Sequence, residues 1–497
     1  MARSVLILCA CAGAAVFYYA PILGKPMLVI AALLLGLALV ARKKYPVQAI
    51  PGKGRFFALA PLCLCSFVLG SLLGFHARSS IQDFRPGLSE STITGLWGVL
   101  VEDPRTLYDG RGMGYLLVSK ASGRIPGASA DVEASAQGRV LAFFPESVMP
   151  RLYAFGRQCH VYIEGTPAWL IGNSRSPDAF IFQVRGVHIL KPAPLLEQFR
   201  SALRAALRAE LAPYRWGGLG LALLFGIRDH LDAELSNAYR LAGCSHVLAL
   251  SGMHLGIISG FIAFLLKKPL GIRLAGLLGG IVILCYAFLV GLQPSLLRSL
   301  IMYLLSLVIL LGNLPRNIIS ILGLSFLIQL VLDPSSGTTL SFILSYAALT
   351  GICFLSQPIE QLLSGALPTI ILKPLAASLG AFLATASICA WYFGSIQPIG
   401  ILLGIAIIPL TTAFMIAVII ALPLLPILPA AGPIGTICSL LYDVMAWLVA
   451  RGSTVPAINI SSPLPLCISA PFLWFMVIWG AAKYGSYRKS IAPFGTN

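Results

Sequence analysis

The residues best able to do chemistry sit inside apolar segments, where ionisable side chains are rare and usually functional. In PSLLRSLIMYLLS, Ser295, Arg298, Ser299, Met302 and Ser306 fall in one narrow helical sector. An arginine near a bilayer interior costs at least about 2.5–3.5 kcal/mol on insertion scales. It either snorkels outward from near the helix start or faces a hydrated path. The serines favour the path, because a lipid-facing guanidinium gains nothing from neighbouring hydroxyls. Gly291 and Pro294 just ahead supply a sharp turn.

Upstream, AGCSHVLALSGMHLGIISGFIAFL carries Gly252, Gly256 and Gly260 at every fourth position, a stripe that lets another helix approach closely. At 100° per residue, His254 lies roughly 160° from the centre of that stripe and Ser251 roughly 60° from His254. One continuous helix would pack on one side and present Ser251 and His254 on the other. Two readings stay open: a cavity-lining His254, or a buried histidine bonded to a carbonyl. His246 reads as structural. A third polar face joins Thr338, Ser341 and Ser345, with Phe342 and Tyr346 nearby and Asp333-Pro334 capping the connection before it. Such hydroxyls often bond only to their own backbone. Asp443 either pairs with an arginine or marks a proton site.

Enzyme chemistry finds no support. HExxH, Walker A and GxSxG are absent, and Ser251 with His254 has no third orienting group. The eleven cysteines form no CxxC and mostly lie in or beside apolar stretches, as small apolar filler. The expectation is no catalytic residue, no metal and no cofactor.

These residues need elements to position them. Of 497 residues, 58% are hydrophobic and only 11% charged, against about 45–50% and about 25% in soluble domains. That excludes a cytosolic enzyme, a disordered chain and a fibrous repeat. Apolar runs at 4–20, 27–41 and 56–76 precede a polar zone. Nine more follow, at 244–266, 274–292, 295–312, 317–332, 338–357, 374–394, 400–426, 432–450 and 466–482. The prediction is a polytopic α-helical membrane protein of about twelve transmembrane helices. Residues 216–227 are too short to span and read as re-entrant. Pro398 and Pro409 predict a break in 400–426. The loop 42–55 carries five basic residues and no acid, so it is expected in the cytoplasm. Both termini then face the cytoplasm, and the polar zone faces outside.

The polar zone reads as an inserted extracytoplasmic β-barrel, OB-fold-like, with strands at Thr92–Glu102, Gly112–Lys120, Gly138–Phe144, His160–Thr166 and Ala179–Leu190. Residues 121–137 read as a loop. Aromatics such as Trp97, Tyr115, Tyr162 and Trp169 suit base stacking. Yet residues 78–196 hold twelve basic and ten acidic side chains, less basic than a dedicated single-strand binder. In LLEQFRSALRAALRAEL, Arg200, Arg204 and Arg208 share one helix face. This is either an interfacial helix lying on the lipid bilayer or an outer basic rim guiding phosphates. The domains expected are 1–77, N-terminal helices; 78–196, β domain; 197–215, basic amphipathic helix; 216–482, channel domain; and 483–497, cytoplasmic tail.

Three ordered motifs carry a family resemblance: HVLALSGMHL at His246–Leu255, GLQPSLLR at Gly291–Arg298, and DPSSGTTLSF at Asp333–Phe342. The chain resembles the ComEC-type competence DNA-uptake channel family, which shows H-L-L-A-I-S-G-L-H-V, G-x-x-P-S-x-x-R and D-P…L-S-F in this order. The matched positions are Gly243, His246, Ser251, Gly252, His254, Gly291, Pro294, Ser295, Arg298, Asp333, Pro334, Ser341 and Phe342. The resemblance implies an inner-membrane channel admitting single-stranded DNA during natural transformation. It also implies partners: a periplasmic DNA receptor, and a cytoplasmic helicase or single-strand-coating protein. Many members continue into a metallo-β-lactamase-like domain. No HxHxDH motif occurs here, so a separate nuclease is expected. Gly404 stands where many members carry Asn, which leaves 400–426 in doubt.

The function expected is single-stranded DNA translocation, through Ser251, His254, Ser295, Arg298, Ser299, Ser341 and Ser345. The rival classes are a transporter of another polyanion or small metabolite, and a scaffold whose β domain recruits a receptor. A homo-oligomer is compatible with either.

Overall fold

The computed structural model describes residues 2–23, 65–76 and 84–460 apart from 86, 90–91, 107–110, 125–130, 171–178 and 426–431, with scattered positions up to 479. The run at 27–41, the basic loop 42–55 and the tail 483–497 lie outside the described residues, as do most of 466–482.

Two apolar helices, α1 (Ala2–Leu23) and α2 (Cys65–His76), come first. The polar zone follows, with β1 (Ile93–Leu100), β2 (Arg105–Thr106), β3 (Gly112–Gly123), β4 (Val132–Phe144), α3 (Met149–Phe155), β5 (His160–Leu170) and β6 (Ala179–Lys191). Pairing runs β1–β5–β6–β4–β3 and returns from β3 to β1, with β4–β6 the parallel pair. Alternating residues enclose a core that includes Leu96, Leu116, Val140, Phe144, Val161 and Phe182. The loop expected at 121–137 is largely strand. Its small residues Ala121, Ala134 and Ala136 lie in the β3–β4 hairpin, two of them buried, so their size serves packing.

The helical region holds α4 (Leu195–Leu211), α5 (Gly217–Phe225), α6 (Ala233–Leu241), α7 (Ser245–Leu248), α8 (Gly252–Val290), α9 (Pro294–Leu311), α10 (Ile318–Leu332), α11 (Leu340–Leu362), α12 (Thr369–Phe393), α13 (Ile399–Ala421) and α14 (Pro433–Ser453). Among the described residues, α8, α9, α11, α12, α13 and α14 are long and apolar enough to cross a membrane. The count of twelve is not confirmed, since several of the predicted spans lie outside the described residues. At about 1.5 Å per residue, α10 falls short of a 30 Å bilayer core, and α8 is close to twice that thickness.

Helix α8 is two arms. Gly271 takes φ 75° and ψ 165°, which breaks the helix. Ile262 of the first arm lies 3.7 Å from where a Gly279 side chain would start in the second. The arms therefore fold back as a hairpin. Its turn carries Lys267, Lys268 and Arg273, and Val290 lies at the far end.

One expectation is corrected. Helix α13 runs unbroken through Pro409; the Thr411 and Thr412 hydroxyls donate to the Ile407 and Ile408 carbonyls beside it, local bonding that helps a helix tolerate proline. Helix α5 is buried along its whole length in the core with Phe414, Met415 and Val418, a setting in which a short re-entrant segment is tolerated.

A close helix crossing forms away from Gly256 and Gly260 of the expected stripe. Gly256 and Gly260 are exposed and meet nothing within 4 Å. Instead, a side chain at Gly351 of α11 would overlap the Gly380 carbonyl oxygen and come within 2.6 Å of the Ala384 methyl on α12. Gly351→Val is expected to lower stability by about 1–3 kcal/mol through overpacking, read as a lower Tm of the detergent-solubilised protein. An unchanged Tm would show that the two helices separate freely.

Candidate functional site

The three motifs meet at the end of the helices nearest the β domain. The Ser295 hydroxyl donates to the Leu250 carbonyl at 2.5 Å, and Gln329 Nε2 donates to the Pro294 carbonyl at 2.7 Å. Gly252 faces Ser299 and Arg298 so closely that a methyl there would sit 2.5 Å from Ser299 Oγ. Tyr346 donates to Gln329 Oε1 at 3.0 Å and lies near Ser325. The result is a buried polar cluster between α8, α9, α10 and α11.

Arg298 stands in this cluster at 4% exposure, with no carboxylate partner among the described residues. Its Nη2 reaches Ser299 Oγ at 3.4 Å, and its guanidinium lies 5.6 Å from the Tyr346 ring centroid. Its Nε and Nη1 have no hydrogen-bond partner. A buried, largely unsatisfied guanidinium is a strong anion receptor, because five fixed donors match phosphate oxygens.

Ser251 and His254 do not share a polar helix face. The chain is extended at Ala249 and Ser251, and α8 starts at Gly252. Ser251 is the N-cap and His254 the third helical residue, joined in a capping box. Ser251 N–H donates to His254 Nδ1 at 3.1 Å, and Met253 N–H donates to Ser251 Oγ at 3.3 Å. His254 is fully buried and secures the helix start.

Phe342 and Tyr346 are buried, while Ser341 is exposed and Ser345 half-buried. Phe342 packs with Leu322 and Tyr346, and large aromatics outcompete hydroxyls for the interior. Ser299 and Ser306 donate to the Ser295 and Met302 carbonyls on their own helix.

The glycines and Asp333-Pro334 hold the architecture. Gly243 (φ 71°) lies against Gly400, and Gly291 (φ 98°) makes the turn after α8. His246 sits exposed on the one-turn helix α7. Asp333 accepts from Ser335 at 2.7 Å, and Ser335 accepts from Arg139 of the β domain at 3.0 Å. Tyr18 donates to the Pro334 carbonyl, and Tyr19 to Gly337 at 2.7 Å. One loop thus ties α1 and the β domain to the helical bundle. Asp443 pairs with Arg215 at 3.2 Å in a largely exposed contact.

The outer basic rim is not a free rim. Arg200, at 1% exposure, contacts both Asp103 oxygens at 2.5 and 3.1 Å and donates to the Phe288 and Leu289 carbonyls. Arg204 donates to the Phe225, Leu289 and Val290 carbonyls. Arg208 pairs with Asp229 at 3.1 Å and lies over Tyr153. Cations satisfy the unpaired carbonyls at a helix C-terminus and complement its dipole. Burial pulls the Arg204 guanidinium down to about 10. Burial alone raises the Asp103 carboxyl, but Arg200, Arg204 and Arg157 outweigh it and hold it below the usual carboxylate range. Asp103 was not legible beforehand; its only signal is an acid in a short loop after a strand.

The β domain carries a cross-strand row. Trp97 pairs with Tyr162 at a ring distance of 4.4 Å, and Tyr162 with His188 at 6.1 Å. Lys120 lies opposite Trp97 on the other side. Phe144, by contrast, is in the core.

Fold and site together define a polytopic helical membrane protein with a sheet domain docked on the ends of its helices. The family described as Competence protein matches residues 223–484, more than half the chain, and the chain belongs to that family. It is 28% identical over 204 residues to ComE operon protein 3 of Bacillus subtilis (strain 168), covering 39% of this chain and 25% of that protein. It is 27% identical over 273 residues to an uncharacterized protein of Aquifex aeolicus (strain VF5), covering 55% and 63%. YcaI of Escherichia coli (strain K12), also uncharacterized, is 33% identical over 111 residues, covering 20% and 15%. The chain thus spans less than two thirds of the length of the curated relatives it matches. No solved structure matches.

Proposed function

We propose that this chain forms a path for single-stranded DNA across the bacterial inner membrane during natural transformation. Membership of the competence family supports a role in DNA uptake. The observation that carries the finer reading is Arg298, an uncompensated guanidinium buried where the three motifs meet. A phosphate cannot enter hydrocarbon unpaired, and one cation binds it weakly enough to release it. A strand also needs partners: a receptor outside, and a helicase or coating protein inside. The chain acts as a conduit, and passage along it needs no catalysis.

Orientation follows from charge. Lys267, Lys268 and Arg273 mark the α8 turn as cytoplasmic by the positive-inside rule. The β domain docks at the opposite end, where Arg200 of α4 bridges Asp103 to the Leu289 carbonyl, so it faces outside. Its closed pairing order supports the OB-like reading, and its Trp97–Tyr162 row is a platform for bases.

The direct test is uptake of labelled DNA in a strain deleted for this gene, with surface-bound and cytoplasmic label scored separately. Loss of cytoplasmic label alone, restored by this gene, supports the path. Unchanged entry in the absence of a second copy removes it. Independently, Trp97→Ala in the full chain is expected to weaken oligonucleotide binding about tenfold, since one stacked base is worth about 1–3 kcal/mol. Equal affinity in a filter-binding titration would remove the stacking platform.

A further inference from the structure

Helix α4 is amphipathic in the opposite sense to a soluble surface helix. Glu197, Arg200, Ser201 and Arg204 are its buried residues, together with Leu211 at its end. Leu195, Leu196, Phe199 and Leu203 are exposed, Leu195 at 84% and Phe199 at 66%. The alanines at 202, 205, 206 and 209 continue the same outward face. Water would oppose this arrangement, since about 25 cal/mol of stability is lost per Å² of apolar surface left exposed.

The depth of the face identifies what covers it. Arg200 and Arg204 bond to the carbonyls of Phe288, Leu289 and Val290, the last turn of the second α8 arm. Helix α4 is therefore fixed at the level where a membrane-length arm ends. Beside its first turn lies a cleft of about 660 Å³ lined by Val99, Gln158, His160, Lys191, Leu195 and Gln198, with the 192–194 turn. One wall is the exposed Leu195, and the other offers Lys191 and His160. An apolar face next to a cation matches the acyl and headgroup layers of a bilayer.

We propose that an anionic phospholipid of the outer leaflet occupies this surface. Its headgroup phosphate meets Lys191 and His160 in the cleft, and its acyl chains cover Leu195, Leu196, Phe199 and Leu203. The bound lipid seats α4, and with it the β domain, on the membrane. The inference needs α8 to cross the bilayer but is independent of what the helices conduct.

The test uses the full chain in nanodiscs of phosphatidylcholine doped with phosphatidylglycerol that carries a photoreactive diazirine high on one acyl chain. After photolysis, labelled positions are mapped by mass spectrometry. The expected label falls on 195–203 as well as on the exposed side of α8 at Ile281 and Leu284. Lys191→Gln is expected to cut the 195–203 label about fivefold, the worth of one cation at an anionic surface, and to leave the α8 label unchanged. Label on α8 without label on 195–203 overturns the proposal. Insensitivity to Lys191→Gln, or equal labelling by a photoreactive phosphatidylcholine, overturns the headgroup site.

Discussion

Arg298→Gln will cut cytoplasmic entry of labelled DNA by about a hundredfold or more, while the amount of folded protein in the membrane stays level or rises. The first half follows from removing one partner of a desolvated charge contact, which costs about 2–5 kcal/mol. The second half follows from the surroundings of the side chain. Among the described residues no carboxylate balances Arg298, and its Nε and Nη1 are unsatisfied. A long contact to Ser299 and the Tyr346 ring repay little of the burial cost. Gln is smaller, neutral and easier to satisfy among Ser299, Ser295 and Tyr346. A structural arginine would behave oppositely, with lower abundance and a lower Tm on substitution. Uptake and membrane abundance measured on the same cells separate the two. Normal uptake at normal abundance removes Arg298 from the strand's path.

Asp103→Asn will destabilise the protein by about 1–3 kcal/mol: Arg204 loses its carboxylate, while Arg200 keeps Glu197 at 3.3 Å. Asp103 balances Arg200 and Arg204, whose side chains are 1% and 7% exposed. Those arginines cannot turn away, because the carbonyls at the end of α8 hold them. The substitution therefore loosens the joint between the β domain, α4 and α8 together. Asp443→Asn makes the same chemical change on a pair whose side chains are 76% and 49% exposed, and there the effect will be slight. Thermal unfolding of both variants in one detergent makes the comparison.

The pH dependence has a definite sign. The folded Asp103 carboxyl lies below its unfolded value of about 3.9. Its stabilisation is fully present above that value and lost as pH falls through the folded one. The native protein will lose this contribution only below about pH 4, and Asp103→Asn will lack that acid limb. An unchanged acid limb in the variant would assign it to other carboxylates.

How much was legible beforehand depends on how local each cause is. The five long strands were readable because β-branched and aromatic runs bounded by Gly, Pro and Asp depend on neighbours in sequence. Their edges were not, since Ala121 and Ala134 are strand residues only because the β3–β4 pairing extends past them. The spans were readable from apolar length, but the fold-back at Gly271 was not, because glycine inside an apolar run looks like any packing glycine. The helical wheel placed Ser251 beside His254 correctly and for the wrong reason. The wheel assumed one helix, whereas the pair closes a helix start.

By itself the sequence determined the class of protein, the family motifs and the singular position of Arg298, because each rests on composition or on short fixed spacings. Only the tertiary structure decided which charges are spent. Arg200 and Arg204 looked like the free cations and are neutralised by Asp103 and helix-end carbonyls from far along the chain. Arg298 looked equally able to snorkel and is buried without a counterion. Whether a charge is paired depends on what lies within about 4 Å of it in space, and that distance is fixed by packing between segments that no local pattern records.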